Sequence, residues 1–162
     1  MNKRPPRVKQ VLFILVALLI AGSLTSFSHG SEGSRHTKGQ TVLVPLYSNI
    51  FVGNKEIDWY MSSLVSVCNT DPAHSITISR VEYYDSNGKL VRKYLEKSRK
   101  INPRGSAYFF IKNSETAEGW GAIFLVEWNS EKKVNEPIIE SLMWGLRGSH
   151  FASFTSQGRV ID

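Results

Sequence analysis

From residue 41 to the C-terminus, turn-forming residues interrupt the chain roughly every 8 to 15 residues, and no segment between them carries the 3.6-residue repeat of a helix. Segments that short suit strands, so the spacing predicts β structure throughout. About seven or eight short strands in about 120 residues favour an all-β fold, an antiparallel β-sandwich, with immunoglobulin-like topology the first expectation and a small barrel the alternative. The single cysteine, Cys68, cannot form an internal disulfide, so the fold must rest on its apolar core. Cys68 ends the apolar stretch Leu64 to Cys68 and is expected to be buried as a small hydrophobe.

The pattern within the strands is specific. In Thr41 to Tyr47, Val42, Val44 and Leu46 share one face, and Pro45 argues for an edge strand because proline cannot donate to a ladder. Ile57 to Cys68 reads as one long strand. In Ile76 to Tyr84, Ile76 and Ile78 point one way and Val81 and Tyr83 continue after a parity change, which predicts a bulge near Ser79 and Arg80. Asp85-Ser86-Asn87-Gly88 is a hairpin signal, because Asn and Gly tolerate positive φ, and Leu90 to Leu95 is the return strand. Asn102 to Gly105 is a turn before Ala107 to Ile111. Trp120 to Trp128 is apolar on both parities until Glu127, as expected of a central strand covered on both sides. Asn129 to Glu136 reads as a charged loop, Ile138 to Leu146 as a strand, and Phe151 to Ile161 as the last strand.

Residues 1–30 resemble a secretory signal peptide. Lys3, Arg4, Arg7 and Lys9 precede the apolar run Val11 to Gly22, and small or polar residues from Ser23 to Gly30 follow. The run is shorter than the ~20 residues of a membrane span. Ser28 and Gly30 suit cleavage after Gly30, and Ser26 and Ser28 suit cleavage after Ser28. Export to a periplasmic or extracellular space is expected; a retained segment anchored in the inner membrane is the alternative. Residues 31–40 hold no apolar side chain and read as a linker, leaving 41–162 as a single domain.

Without the first 30 residues, 16 Lys and Arg face 14 Asp and Glu, a net charge of +2. That balance argues against a nucleic-acid partner. The densest basic stretch, Lys89 to Arg104, reads as a solvated face, with attraction to an anionic envelope surface as its functional alternative.

No metal is expected: the four histidines lack metal-ligand spacing, and Asp85-x-Asn87-Gly88 fails as a calcium loop because Lys89 and Leu90 stand where an acid and a glycine are needed. No nucleophile elbow and no phosphate loop is present, and no cofactor is implied. Glu127 and Glu140 lie on consecutive predicted strands and would make an acidic pair if they shared a face. Otherwise Glu127 needs a cation, and Arg159 is the first candidate, to be found within about 4 Å. Trp59, Trp120, Trp128 and Trp144 with Tyr83, Tyr84 and Tyr94 are read as core, with an aromatic ligand platform as the alternative.

Val44 to Phe51, Cys68 to Pro72, Val81 to Leu95, Gly121 to Trp128, Val134 to Ser141 and Ser153 to Ile161, in that order, resemble a bacterial family of exported proteins, domain of unknown function 3124. The resemblance spans roughly residues 41–161. It implies export and transfers no catalytic residue. Within those blocks Asn69, Asp71, Asp85, Asn135, Glu136 and Arg159, with Glu127, are the candidate binding residues. Asn69 and Asp71 also suit a turn that ends a strand, their side chains bonding nearby backbone. Binding without catalysis, to a protein or an envelope component, is the expected function. A hydrolase built on Glu127 and Glu140, and an assembly module acting through an open edge strand, are the alternatives.

Overall fold

The alternation of apolar residues is realised as strands almost everywhere it occurs. The computed structural model describes residues 35–53, 57–115 and 121–162; residues 1–30, where a signal peptide is expected, and Trp120 lie outside them. Ser34–Asp162 forms one compact unit. Among the described residues the strands are β1 (His36–Tyr47), β2 (Asn49–Val52), β3 (Ile57–Tyr60), β4 (Ser62–Cys68), β5 (Ile76–Tyr84) and β6 (Leu90–Lys93). They continue with β7 (Arg99–Ile101), β8 (Ser106–Ile111), β9 (Gly121–Asn135), β10 (Ile138–Arg147), β11 (His150–Gln157) and β12 (Arg159–Val160). No helix among these residues is long and apolar enough to cross a membrane.

Two antiparallel sheets make the sandwich. The first runs β12–β1–β9–β5–β6, with β7 pairing the start of β5; the second runs β11–β10–β4–β8. A separate ribbon pairs β2 with β3. The inner faces carry the core: Val44, Phe124, Val126, Trp128, Ile76, Ile78, Val81 and Tyr83 from the first sheet meet Val65, Val67, Ala107, Phe109, Ile139 and Met143 from the second. Tyr94, just past β6, packs between them, its ring 5.0 Å from that of Phe124 and 6.1 Å from that of Phe109.

The bulge expected near Ser79 and Arg80 is present: the β5–β9 register shifts between Ile78 and Arg80. The β5–β6 hairpin turns at Gly88, whose φ is +76°, a conformation costly for a residue with a Cβ. Pro45 fits because β12 covers β1 only at Val42 and Leu43, so the missing donor lies past that pairing.

Several expectations are corrected. Among the described residues there are twelve strands, against the seven or eight expected. Ile57 to Cys68 is two strands broken at Met61, because β3 turns away to pair with β2 while β4 enters the second sheet. Asn129 to Asn135, read as loop from its charges, continues β9, with Val134 buried and Asn135 paired to His36. β1 starts at His36, so residues 36–40, read as linker, already pair with β9. The last strand is two. β11 belongs to the second sheet and β12 to the first, and Gly158 makes the crossing with its N–H bonded to Ile139 O at 2.8 Å. A Cβ there would meet Val42 Cγ1 at 2.6 Å, so the chain can pass only as glycine. β9 is central, between β1 and β5, yet from Gly121 to Trp128 it buries one face, Ala122, Phe124, Val126 and Trp128, while Ile123 and Leu125 on the other are half-buried. Cys68 is half-buried, at odds with the expected burial, because the parity of β4 turns it away from the core.

Candidate functional site

Asn69 and Asp71 follow β4, and Asn135 and Glu136 follow the buried Val134 of β9. The fold brings all four to one end of the sandwich. Asn69 is fully buried. Its Nδ2 donates to His74 O at 2.9 Å and Asn102 O at 3.0 Å, and its Oδ1 accepts from Asp71 N at 3.1 Å. Asp71 Oδ1 accepts from Ala73 N at 2.9 Å and His74 N at 2.8 Å, with His74 Nδ1 at 3.1 Å; Oδ2 accepts from Asn135 N at 3.2 Å. Thr70 Oγ1 donates to Glu136 O at 2.8 Å, and the Glu136 carboxylate takes Gln40 Nε2 at 2.5 Å.

The backbone N–H of Ala73 most strongly, with those of His74 and Asn135, holds the Asp71 carboxyl at about 2, against its ordinary 3.8, while burial opposes the shift. Such a group is a fixed anion at neutral pH, not a proton carrier. The charge is spent on neighbouring backbone, as the strand-ending-turn reading expects.

The other candidates lie apart. Asp85 closes the hairpin, its Oδ1 accepting from Asn87 N and Lys89 N at 2.9 Å each. Glu127 and Glu140 do not meet: Glu127 is on the outer face of the first sheet and Glu140 on the outer face of the second, with the core between them. The partner of Glu127 is Arg80, not Arg159, with Nε to Oε2 at 2.9 Å. The cause is register: Arg80 lies directly opposite Glu127 across β5 and β9, whereas Arg159 on β12 lies opposite Leu43. Among the described residues no three His, Cys, Asp or Glu side chains are grouped to hold a metal ion.

Glu127 and Arg80 belong to a network over the first sheet. Arg80 Nη1 and Lys93 Nζ each lie 3.6 Å from the Glu82 carboxylate, and the Tyr84 hydroxyl donates to Glu82 Oε2 at 2.6 Å. That hydroxyl, more than Arg80 or Lys93, lowers the Glu82 pKa against the effect of burial, and the same bond raises that of Tyr84.

The outer face of the second sheet is the opposite. Parity places Leu64, Ser66 and Cys68 of β4, Tyr108 and Phe110 of β8, Ile138, Glu140, Leu142, Trp144 and Leu146 of β10, and Phe151, Ser153 and Thr155 of β11 on it. Glu140 is the one charged side chain among the described residues of these strands on that face. Tyr108, Phe110, Ile138, Leu142, Leu146 and Phe151 are exposed, and the Phe110 and Trp144 rings stack at 5.7 Å and 16°. Sequence reasoning missed this face, although the signal was present: Tyr108 to Ile111 and Ile138 to Leu146 are largely apolar on both parities. Of the aromatic set, Trp59, Trp128 and Tyr83 are core, as read, while Trp144 belongs to this outer face.

Residues 39–161 match a protein family described as a protein of unknown function, DUF3124. A solved structure titled "Crystal Structure of Thermotoga maritima 1070" is similar at 11% identity, over 74% of this chain and 92% of that chain, with a TM-score of 0.42. The curated proteins give no match.

Proposed function

The chain belongs to the DUF3124 family, and from that premise we propose that it is an exported, non-catalytic domain that works by binding a protein through the outer face of its second sheet. The observation that supports this reading is the apolar surface of β8, β10, β4 and β11, ringed by exposed aromatics and carrying Glu140 as its charge. Contiguous apolar patches beyond a few hundred Å² are uncommon on proteins that bind nothing, and aromatic anchors dominate interface energetics. Export is read from the order of residues 1–30. The hydrolase reading loses its support, since Glu127 and Glu140 face away from each other across the core.

Strand addition keeps a specific observation in its favour. β8 pairs β4 on one side only, and Ser106-Ala107-Tyr108-Phe109-Phe110-Ile111 holds neither charge nor proline to guard its other edge.

A photo-crosslinking residue placed at Tyr108, and separately at Thr77 on the first sheet, tests the reading in the host cell. Adducts from Tyr108 and none from Thr77 are expected. Adducts from Thr77 alone, or turnover of envelope substrates by the purified chain, would overturn it.

A further inference from the structure

We infer that the occupant of this face is a second copy of the same chain, the two second sheets packing outer face against outer face. The inference rests on the reading of that face as a binding surface and goes one step further, to the identity of the partner.

Shape comes first. The face is a four-stranded sheet, and a second such sheet can pack on it at about 10 Å with side chains interdigitating. The residues to interdigitate are present: the apolar side chains of the outer face are of the kind the same sheet uses inwardly at Val65, Phe109, Ile139 and Met143. Area is second. Tyr108 is 66% exposed, Phe110 41%, Ile138 53%, Leu142 41%, Leu146 73% and Phe151 64%. Covering these six would remove on the order of 500–850 Å² per copy, taking roughly 150–250 Å² for a large side chain. Two copies reach about 1,000–1,700 Å², which spans the onset and the standard size of specific interfaces. Leu64 and Trp144, half-buried beside them, add to it.

Charge is third, and it selects among partners. An anionic lipid surface or polyanionic glycan would require cations on the face, and its strands place none there. The cations Arg92, Lys93, Arg99 and Lys100 lie on β6 and β7, at the edge of the other sheet. A nearly uncharged face matches a nearly uncharged face. A two-fold pairing of identical faces also closes on itself, consuming both apolar surfaces and leaving none to recruit a third copy.

The test uses Ser34–Asp162, which forms its own compact unit. Sedimentation equilibrium across the micromolar range should give a dimer for the parent, a monomer for Leu142→Lys and for Tyr108→Lys with an unchanged far-ultraviolet circular dichroism spectrum, and a dimer for Val91→Lys on β6. A monomeric parent, or a Leu142→Lys variant that stays dimeric, would overturn the inference. The mass of the Tyr108 photo-adduct in the host separates the two levels. Two copies of this chain supports the inference. An adduct with a different protein overturns it and leaves the binding face standing. No adduct from Tyr108 overturns both.

Discussion

The two sheets share one core and differ on the side away from it. Over the first sheet, Arg80, Glu82, Lys93, Glu127 and Tyr84 form a connected network of ion pairs and a short hydrogen bond. Over the second, Glu140 stands among exposed Tyr108, Phe110, Leu142 and Leu146. Folding alone does not ask for this difference, because each sheet already has a buried face and one face in water is normal for antiparallel sheets. The network covers the β5–β6–β9 part of the first face, where the apolar Leu43, Ile123 and Leu125 are half-buried, whereas six large apolar side chains stand exposed on the second. The same division holds at the edges: the first sheet ends in charged β6 and β7 or in two-residue β12, and the second ends in uncharged β8. The contrast is the observation behind the proposal that the second sheet's outer face is a binding surface.

If the difference is confined to the outside, the two inner faces should respond alike. Phe124→Ala on the first sheet and Met143→Ala on the second each remove a fully buried side chain. Each should cost about 2–5 kcal/mol in denaturant unfolding, with a single transition in both variants. A large loss for one and none for the other would break the picture of a shared core. A second transition would show that the sheets melt apart, against the ties that Asn69 makes from the end of β4 to Ile101 O of β7 and to Asn102 O.

Most of the sandwich was legible because most strands bury one face. The parity change in β5, the Asn87-Gly88 turn and the inward set Val42, Val44 and Leu46 follow from sterics and period-two burial, and each is where the sequence places it. What escaped depends on partners distant in the chain. β7 is Arg99-Lys100-Ile101, three residues with two charges, and becomes a strand only because the start of β5 lies beside it. The far half of β9 looked like a loop since Glu131, Lys132 and Lys133 are exposed; its pairing with the start of β1 makes it a strand. Of the candidate residues, the convergence of Asn69, Asp71, Asn135 and Glu136 could not be read, because it joins positions more than 60 residues apart. The outer apolar face is written in β8 and β10, whose apolar residues fall on both parities, but which parity faces solvent depends on the sheet each strand joins.

Acid should act on the network over the first sheet and on the Asn69–Asp71 end. The folded-state pKa of Asp71 is depressed to about 2, so its contribution is complete above 3.8 and is lost as pH falls from there towards 2. Glu82 is depressed in the same sense by Tyr84, Arg80 and Lys93, so its contribution is complete above its ordinary 4.5 and falls away below it. Thermal melts followed from pH 7 downward should therefore hold steady to about pH 4.5 as far as these two groups are concerned, then decline. Glu82→Gln should shrink the decline that begins at the upper end of that window, and Asp71→Asn the part that begins lower. A Glu82→Gln variant with the full parental decline would mean that the network over the first sheet does not stabilise the fold.

The smallest expected effect is the most discriminating. Leu142 is already 41% exposed and lies on the outer face of the second sheet. In a lone domain, Leu142→Lys removes little buried surface and places a lysine in water, so its stability should change by no more than about 0.5 kcal/mol. If the face meets a second copy, the parent has an additional stabilisation that grows with protein concentration, since association draws the folded state forward by mass action. The melting temperature of the parent should then rise with concentration, that of Leu142→Lys should stay flat, and the two should converge on dilution. Val91, exposed on β6 of the first sheet, supplies the control: Val91→Lys should follow the parent at every concentration. A constant gap between parent and Leu142→Lys at all concentrations would assign the leucine to the fold rather than to an interface, and the contrast between the outer faces would then carry no information about association.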